Sequence, residues 1–416
     1  MAPFGRNPWG LKILLHLLAF ACVPVSYRLG WQLGRRRWFA FFDGLITALI
    51  PDLYFYSGFA LSEIPHFFFG LFFCTLLLSA LETMTIGWLI AALLIGSFSV
   101  LVRSESAAIL MIGIVFLLIK IIWDWKDENS TSEIRQGLRH AGLSALWRVG
   151  LAILIAAIPL LAWSVHNEKV YGFFGISDYA GEILYDGWIY YGLNSNIPIT
   201  DQNSLAVKAI DAVYQPGLSN MSDVPSGWTI YYLLLQHGYT SEQAFSILDQ
   251  ASMDSIRNDI PPSLKLLVIK IQKGLEPQAL IPATFLFPGE KVDFETLNSD
   301  YFDKENLFIP VMINLQRSVD MVISKWYQKF YTIWFWLGLG MSFICLYRKP
   351  FFQWVPLAVI AVTSIFLPTI MGMSMWRYVL SGIFVMQLFI LAGIQSVSGF
   401  LPYYLTATRL LEKIKL

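Results

Sequence analysis

Residues 86–123 read IGWLIAALLIGSFSVLVRSESAAILMIGIVFLLIKIIW, which is two long apolar runs around a short polar turn. A helix needs about 20 apolar residues to cross a bilayer core, within a range of roughly 17 to 25. The runs 86–102 and 106–123 both fall in that range. The stretch therefore predicts two membrane-spanning helices joined by a tight turn at Arg103.

Seven further runs in the chain have the same character, and the composition agrees with them. Of the 416 residues, 56% are hydrophobic and only 14% are charged, whereas a soluble domain carries about 25% charged residues. A soluble enzyme, a nucleic-acid binder and a disordered scaffold are therefore excluded. The sequence predicts an all-α polytopic membrane protein with about nine transmembrane helices, at residues 11–27, 38–56, 64–81, 86–102, 106–123, 147–165, 330–347, 351–371 and 376–398.

The lysines and arginines of the short loops predict the orientation, because cytoplasmic loops carry an excess of them. One set of alternate loops is rich in these residues, and the opposite set holds only Arg6, Arg103 and Arg377. The rich set, expected to be cytoplasmic, consists of Arg28, Arg35, Arg36, Arg37, Lys126, Arg135, Arg139, Arg148, Arg348, Lys349, Arg409, Lys413 and Lys415. The sequence thus predicts a multi-pass protein of the plasma or inner membrane.

Three units are expected along the chain: a bundle of six helices at 1–166, an external subdomain at 167–320, and a bundle of three helices with a short cytoplasmic tail at 321–416. The middle unit has 19 acidic and 9 basic residues, a net charge of −10, against +10 for the remainder. It is too long for a structureless connection. Apolar spacing predicts a helix over 241–257, and a second one from Ser263 to Gly274 after the Pro261-Pro262 pair.

Glu63 is the first candidate functional residue, because an ionisable side chain at membrane depth is costly and commonly marks a functional cavity. It ends the stretch Tyr54-Phe-Tyr-Ser-Gly-Phe-Ala-Leu-Ser-Glu, at the predicted outer mouth between two helices. The structural alternative is a helix N-cap formed by Ser62 and Glu63, with Pro65 in the first turn. Asp52 is the other carboxylate near this edge and a weaker candidate.

Arg103 and Arg377 are candidates for binding an anion at the same outer face, because guanidinium suits bidentate phosphate recognition. Arg103 has a structural alternative in an ion pair with Glu105. Arg377, with Tyr378 at the start of the last helix, has one in snorkelling to the interface. His166 and Asn167 close the sixth helix, where a lone interfacial histidine is typical of a hydrogen-bonded boundary residue.

Several familiar catalytic patterns are missing from the sequence. No histidine, cysteine and aspartate cluster has zinc spacing, and no P-loop, dinucleotide-binding glycine pattern or Gly-x-Ser-x-Gly elbow occurs. ATP-driven transport and serine hydrolysis therefore have no support. Transport of a solute is the third function considered, after the two that are given below. It has little support, because no helix carries the paired charges or broken segments of a midplane site.

The sequence resembles the bacterial membrane glycosyltransferases of the GT-C fold, which include protein O-mannosyltransferase and aminoarabinose transferase relatives. The likeness extends over nearly the whole chain. It is carried by an Arg-rich turn followed by Ala48-Leu-Ile-Pro, Tyr56-Ser-Gly and Leu61-Ser-Glu, then by Gly96 to Ser106, Trp163-Ser-Val-His-Asn-Glu-Lys-Val-Tyr-Gly, Ile256-Arg-Asn-Asp-Ile-Pro-Pro and Arg377-Tyr378.

The resemblance implies transfer of a sugar from a polyprenyl-phosphate donor to a glycan, lipid or protein acceptor at the outer face of the membrane, without nucleic acid. Glu63 would be an acidic residue of the catalytic cavity, and Tyr56, His166 and Asn167 would line it. Arg103, Arg377 and Tyr378 would hold the donor phosphate. No cofactor is certain, and whether a divalent cation takes part is open, as are the sugar and the acceptor.

Two departures from the family pattern affect these expectations. His166 stands where the family usually has arginine, which weakens a phosphate role there. The family's catalytic aspartate belongs to a first outer loop, whereas this sequence resembles the family only from beyond that loop. The expectation is an inactive chain unless an upstream helix and loop precede it, and the alternative function is a non-catalytic protein of the same fold that binds a lipid-linked sugar or a partner.

Overall fold

The structure is a computed structural model that describes residues 8–49, 53, 62–128, 135–177, 180–197, 200–214, 225–275, 336–345, 351–371 and 376–398. These residues are helical or in short connections, and no strand occurs among them. Fifteen helices are numbered in chain order. They are α1 Pro8–Gly34, α2 Arg37–Ala48, α3 Glu63–Thr83, α4 Ile86–Val102, α5 Ser106–Glu128, α6 Arg135–Tyr171, α7 Ala180–Leu184, α8 Tyr191–Asn194, α9 Leu205–Val213, α10 Gly227–Gln236, α11 Ser241–Asn258, α12 Ile260–Leu275, α13 Trp336–Cys345, α14 Phe351–Met371 and α15 Trp376–Ser398.

Five of the described helices are long and apolar enough to cross a membrane, within α1, α3, α5, α6 and α14. Shorter apolar helices lie at Ile86–Val102, Trp336–Cys345 and Val385–Ser396. A described helix overlaps each of the nine predicted runs. The all-helical fold is therefore confirmed for the described residues, with five helices that could span a membrane, while nine spanning helices stay a prediction.

The α3, α4 and α5 helices pack closely around Phe73 of α3, which is buried. A Cβ added at Gly113 of α5 would lie 2.5 Å from Phe73 Cζ, and one at Gly96 of α4 would lie 3.1 Å from Phe73 Cδ2. Because Cβ atoms do not tolerate such approaches, both positions need glycine for the ring to sit between the helices. The α4–α5 hairpin is thereby held against α3.

Polar contacts at one end of the bundle join helices distant in sequence. Arg35 Nη2 lies 2.6 Å from Glu82 Oε1, and Gln353 Nε2 donates to the same oxygen at 3.0 Å. Gln395 Nε2 donates to the Gly34 carbonyl at 2.8 Å. Glu63 lies at the other end of α3 from Glu82, and there it meets Arg103, which follows the last residue of α4. The loops that the sequence predicts on different sides of the membrane therefore also lie apart in the fold.

The described residues between 180 and 275 are mostly helical and form two apolar clusters apart from the main cluster of the long apolar helices. Helix α11 confirms the prediction for 241–257, and Ala244, Phe245, Leu248 and Ala251 are its buried apolar residues. Helix α12 begins at Ile260, not at Ser263 as predicted. The reason is that proline fits the first turn of a helix, where its missing N–H has no helical partner to lose.

A π-helical turn at Tyr185–Tyr190 links α7 to α8 inside this unit. Such turns occur frequently at functional sites. Lys270 of α12 is buried against it, with Nζ donating to the Gly187 carbonyl at 3.0 Å and lying 4.7 Å from the centre of the Trp188 ring. Burial lowers the pKa of Lys270 to about 7, so this cation is held at some electrostatic cost.

Glu182 and Asp186 lie on the same segment, and a hydrogen bond joins their carboxyl groups. Asp186 Oδ1 accepts a hydrogen bond from the Gly227 N–H at 2.6 Å. Burial, the hydrogen bond with Asp186 and the Asp186 charge raise the pKa of Glu182 to about 8. A Cβ at Gly227 would lie 3.0 Å from Glu182 Cγ, so α10 packs directly on the pair.

We expect this pair to make the 180–275 unit less stable as pH rises. Glu182 has a pKa of about 8 in the fold against 4.5 ordinarily, so the folded state binds the extra proton between these values, and stability falls as pH increases through the window. Glu182→Gln should remove about 1 to 3 kcal/mol of this pH dependence. The measurement is hydrogen exchange of α10 amides in the whole protein from pH 5 to 8.5. The control is Glu242→Gln at an exposed position of α11. If Glu182→Gln leaves the dependence of stability on pH unchanged, the raised pKa of Glu182 is contradicted.

Candidate functional site

Three helix ends bring the polar residues of the bundle together. Helix α3 begins at Glu63, α4 ends at Val102, and α5 begins at Ser106. Arg103 is extended, with φ −149° and ψ 122°, so its backbone leaves α4 and turns at once into α5. Because the connection is only three residues long, Arg103 and Glu105 stay beside the first turn of α3.

Arg103 forms the centre of an ion cluster with two carboxylates. Its Nη2 and Nε lie 2.6 Å and 3.0 Å from Glu105 Oε1, and its Nη1 lies 3.7 Å from Glu63 Oε1. The side chains of Arg103, Glu63 and Glu105 are 10%, 4% and 27% exposed. Two carboxylates therefore share one largely buried guanidinium, an excess of one negative charge when all three are ionised.

The ionisation of Glu105 reflects a balance of opposing causes. Burial raises the pKa of Glu105, but the Arg103 charge, hydrogen bonds to its own backbone and to Arg103, and the His66 ring together outweigh it. The pKa of Glu105 consequently lies below its ordinary value. This carboxylate is an ionised acceptor at neutral pH.

His66 adds a buried polar group one helical turn beyond Glu63. Its Nδ1 lies 3.0 Å from Ser106 Oγ, and Ser99 Oγ donates to Ser106 Oγ at 3.0 Å. His66, Ser99 and Ser106 are all buried. The chain of hydrogen bonds runs across α3, α4 and α5, which fixes the orientation of the imidazole.

A pocket opens next to this cluster, between α3, α5 and α14. Its wall consists of His66, Glu105, Ile109, Thr363, Ser364, Leu367 and Pro368. A second, apolar pocket shares Ile109 and Ser364 with it and continues to Phe67, Gly70, Leu71, Cys74, Ile360 and Val385. Cys74 lies eleven residues beyond Glu63, or about 16 Å along α3. A polar mouth therefore leads into an apolar crevice between the helices.

The structure brings together two of the predicted site residues, Glu63 and Arg103. Arg103 does pair with Glu105, as its structural alternative had it. Glu63 stands in the first turn of α3. Ser62 is the N-cap residue but makes no capping bond with its side chain, and Glu63 is buried against Arg103. Glu63 thus belongs to the ion cluster.

Four other predicted residues fall where side chains are not described. Asp52 and Tyr56 lie outside the described residues. Arg377 and Tyr378 follow Trp376, the first residue of α15, and their side chains also lie outside the description. Their roles stay predictions.

His166 and Asn167 lie near the end of α6. The exposed His166 ring stacks on Trp163 with ring centres 5.2 Å apart. Asn167 is buried, and its Nδ2 donates to the Gly175 carbonyl at 2.7 Å. These contacts anchor the chain that leaves α6, and a cavity role for either residue stays a prediction.

Two buried polar residues were not predicted from the sequence. His66 follows Glu63 by three residues, a spacing that places both side chains on one helix face. Asp43 of α2 is fully buried and accepts a hydrogen bond from Ser26 Oγ of α1 at 3.0 Å. The signal for Asp43 was present, because it is an acidic residue inside the predicted apolar run 38–56.

In the part of the chain that the structure describes, no group of three histidine, cysteine, aspartate or glutamate side chains could hold a metal ion. Glu63 and Glu105 supply two carboxylates. The question of a divalent cation therefore stays open.

Comparison with known proteins gives no relative. No family model matches the sequence, and neither a curated protein nor a solved structure does. The chemistry of this site must be argued from its own residues.

Proposed function

We propose that this chain is an integral-membrane glycosyltransferase, or the greater part of one, that moves a sugar from a polyprenyl-phosphate donor to an acceptor at the membrane surface. The observation that carries the proposal is the cluster of Glu63, Arg103 and Glu105, which lies beside a polar pocket that adjoins an apolar one. A donor of this class has an anionic, hydroxylated head on a hydrocarbon chain, and such a ligand needs both environments. The GT-C resemblance supplies the reaction type.

The phosphate of the donor would meet Arg103 only in competition with its present partners. Guanidinium binds phosphate through the same paired N–H groups that it offers to a carboxylate, and Arg103 gives two of them to Glu105. An incoming phosphate would replace that contact. Arg377, at the start of α15, would supply a second cation together with the helix N-terminus.

A non-catalytic protein that binds a lipid-linked sugar is the second candidate, and one observation favours it. Glu105 contacts Arg103 through two N–H groups, and the lowered pKa of this carboxyl makes it a weak base. A transferase would need its general base from elsewhere, as the family resemblance implies.

Donor binding tests the proposal directly. Arg103→Lys keeps the positive charge but loses the bidentate geometry, so we expect affinity for a polyprenyl-phosphate sugar to fall by roughly the 1.5 to 3 kcal/mol of a charge-assisted hydrogen bond. The measurement is saturation binding to the purified protein in lipid nanodiscs.

Arg35→Lys is the matched control, because Arg35 also lies 2.6 Å from a glutamate but at the other end of the bundle. It should leave donor affinity unchanged. Equal affinity of wild type and Arg103→Lys, or an equal loss in both variants, would remove Arg103 from the donor site.

A further inference from the structure

Helix α12 leaves a stripe of apolar side chains exposed. Ile260, Leu264 and Val268 are 58%, 57% and 54% exposed. They follow one another at intervals of four residues, so they lie along one side of the helix. Contiguous apolar patches on a protein surface commonly mark contact with a partner or with a membrane. The stripe is therefore a candidate interaction surface.

A neighbouring side of α12 is already used by the fold. Ser263, Leu266 and Lys270 are buried there. Leu266 belongs to the apolar cluster that α12 forms with α7 and the π-helical turn, and Lys270 Nζ donates to the Gly187 carbonyl. Rotating α12 to bury its apolar stripe would break these contacts. The stripe consequently faces outward in the folded chain.

The charges of α12 are opposite in sign to those of its surroundings. Residues 167–320 contain 19 acidic and 9 basic residues, whereas α12 has three lysines, Lys265, Lys270 and Lys273, and no acidic residue. Lys265 is exposed and directly follows Leu264 of the stripe. A helix with an apolar side and lysines beside it is typical of helices that lie in a membrane surface, where lysine is attracted to anionic lipids.

The position of α12 places it near a membrane-spanning helix. Both α12 and the π-helical turn contact α14, and Phe351–Pro368 of α14 is one of the five candidate spans. Helix α12 has 16 residues, three of which are lysines, and is therefore too short and too charged to cross a bilayer itself. A helix of this kind beside a spanning helix is placed to lie along the membrane surface.

We propose that α12 lies in the surface of the bilayer that holds the long apolar helices. Ile260, Leu264 and Val268 enter the boundary between headgroups and acyl chains, and Lys265 lies against the phosphates of anionic lipids. This contact attaches an otherwise acidic part of the chain to the membrane. It concerns lipid and not the sugar donor, so it holds whether or not the chain transfers a sugar.

The test measures what surrounds the stripe in the whole protein. A bimane fluorophore is attached to Leu264→Cys, and the protein is reconstituted in nanodiscs that contain anionic phosphatidylglycerol. The native cysteines Cys22, Cys74 and Cys345 are buried, which favours labelling at the introduced thiol. We expect nitroxide groups on the lipid acyl chains to quench the label, and acrylamide in the water to quench it weakly.

Leu205→Cys is the matched control. Leu205 is the first residue of α9 and is also apolar and exposed, but it belongs to a helix without the stripe. Its label should be quenched by acrylamide and not by the nitroxide lipids. Val268→Cys repeats the measurement on the same stripe, which keeps the proposal testable if Leu264→Cys does not fold.

The lysine is tested in the labelled protein with Lys265→Gln. One lysine near an anionic surface contributes about 1 kcal/mol, so the ratio of lipid-bound to free label should fall about fivefold in phosphatidylglycerol. The same change should leave the ratio unaltered in neutral phosphatidylcholine. The ratio is read from the two fluorescence lifetimes of the label.

Three results would contradict the proposal. Acrylamide quenching at Leu264 as strong as at Leu205 would show that the stripe faces water. Protection of the label from both quenchers would assign the stripe to a protein surface, either another segment of this chain or a second copy. An unchanged ratio in Lys265→Gln would overturn the assignment to anionic headgroups.

Discussion

Replacing Glu63 with glutamine is expected to lower the rate of glycosyl transfer by about 10²-fold, the order of loss when a group that positions a substrate is disturbed. Glu63 is buried, and its Oε1 lies 3.7 Å from Arg103 Nη1, so an amide there removes the charge while keeping the shape. The expectation depends on the proposed transferase activity. Transfer is measured with the gene product as it is made in the cell, using a radiolabelled polyprenyl-phosphate sugar.

The control for this variant is Glu82→Gln at the opposite end of the bundle. Glu82 accepts hydrogen bonds from Arg35 and Gln353. Like Glu63 it contacts an arginine, but it lies at the other end of the bundle. Its rate should stay within about twofold of wild type. Glu63→Gln with full activity would show that the carboxylate has no part in the reaction, and equal losses in both variants would attribute the effect to the fold.

Replacing Arg103 with alanine is expected to destabilise the folded protein by about 3 to 5 kcal/mol, because it removes the common cation of the buried Glu63 carboxylate and the half-buried Glu105 carboxylate. In the sequence, Arg103 lies in a short polar turn, where a change to alanine would be expected to leave folding largely intact. The structure alters that expectation, because Arg103 is 10% exposed and contacts both Glu63 and Glu105. The measurement is reversible unfolding in mixed micelles.

A neutral triple variant distinguishes the loss of a partner from the loss of the cluster. Replacing a whole buried ion cluster by neutral groups is often close to neutral for stability. Arg103→Met combined with Glu63→Gln and Glu105→Gln should therefore recover most of the stability that Arg103→Ala loses. A single variant within about 1 kcal/mol of wild type would show that the carboxylates are protonated or hydrated in the folded state.

Local sequence patterns were sufficient for the elements of this protein. Hydropathy is summed over about 20 neighbouring residues, so the apolar runs, including 86–102 and 106–123, were predicted close to the observed helices. Apolar spacing likewise predicted the helix Ser241–Asn258 and its buried face. The start of α12 was missed because the Pro261-Pro262 pair was taken as a stop, although both prolines fit a first helical turn.

The composition of the site could be predicted only in part. Glu63 and Arg103 were identified one at a time, as charges at the ends of apolar runs. His66 and Ser364 were missed, because a histidine or a serine has no distinctive pattern until its neighbours are known. Ser364 lies 298 residues after His66 in the chain, yet both line one pocket.

The sequence by itself determined that this chain is all-helical, with apolar runs long enough to cross a membrane and charged residues at their ends, because hydropathy and charge are properties of contiguous residues. Only the tertiary structure decided that Glu63, Arg103 and Glu105 form one cluster, and that α14 places Ser364 and Pro368 beside His66. The physical reason is that side-chain packing between helices sets these contacts. Packing depends on the shapes of residues tens to hundreds of positions apart, which no local pattern contains.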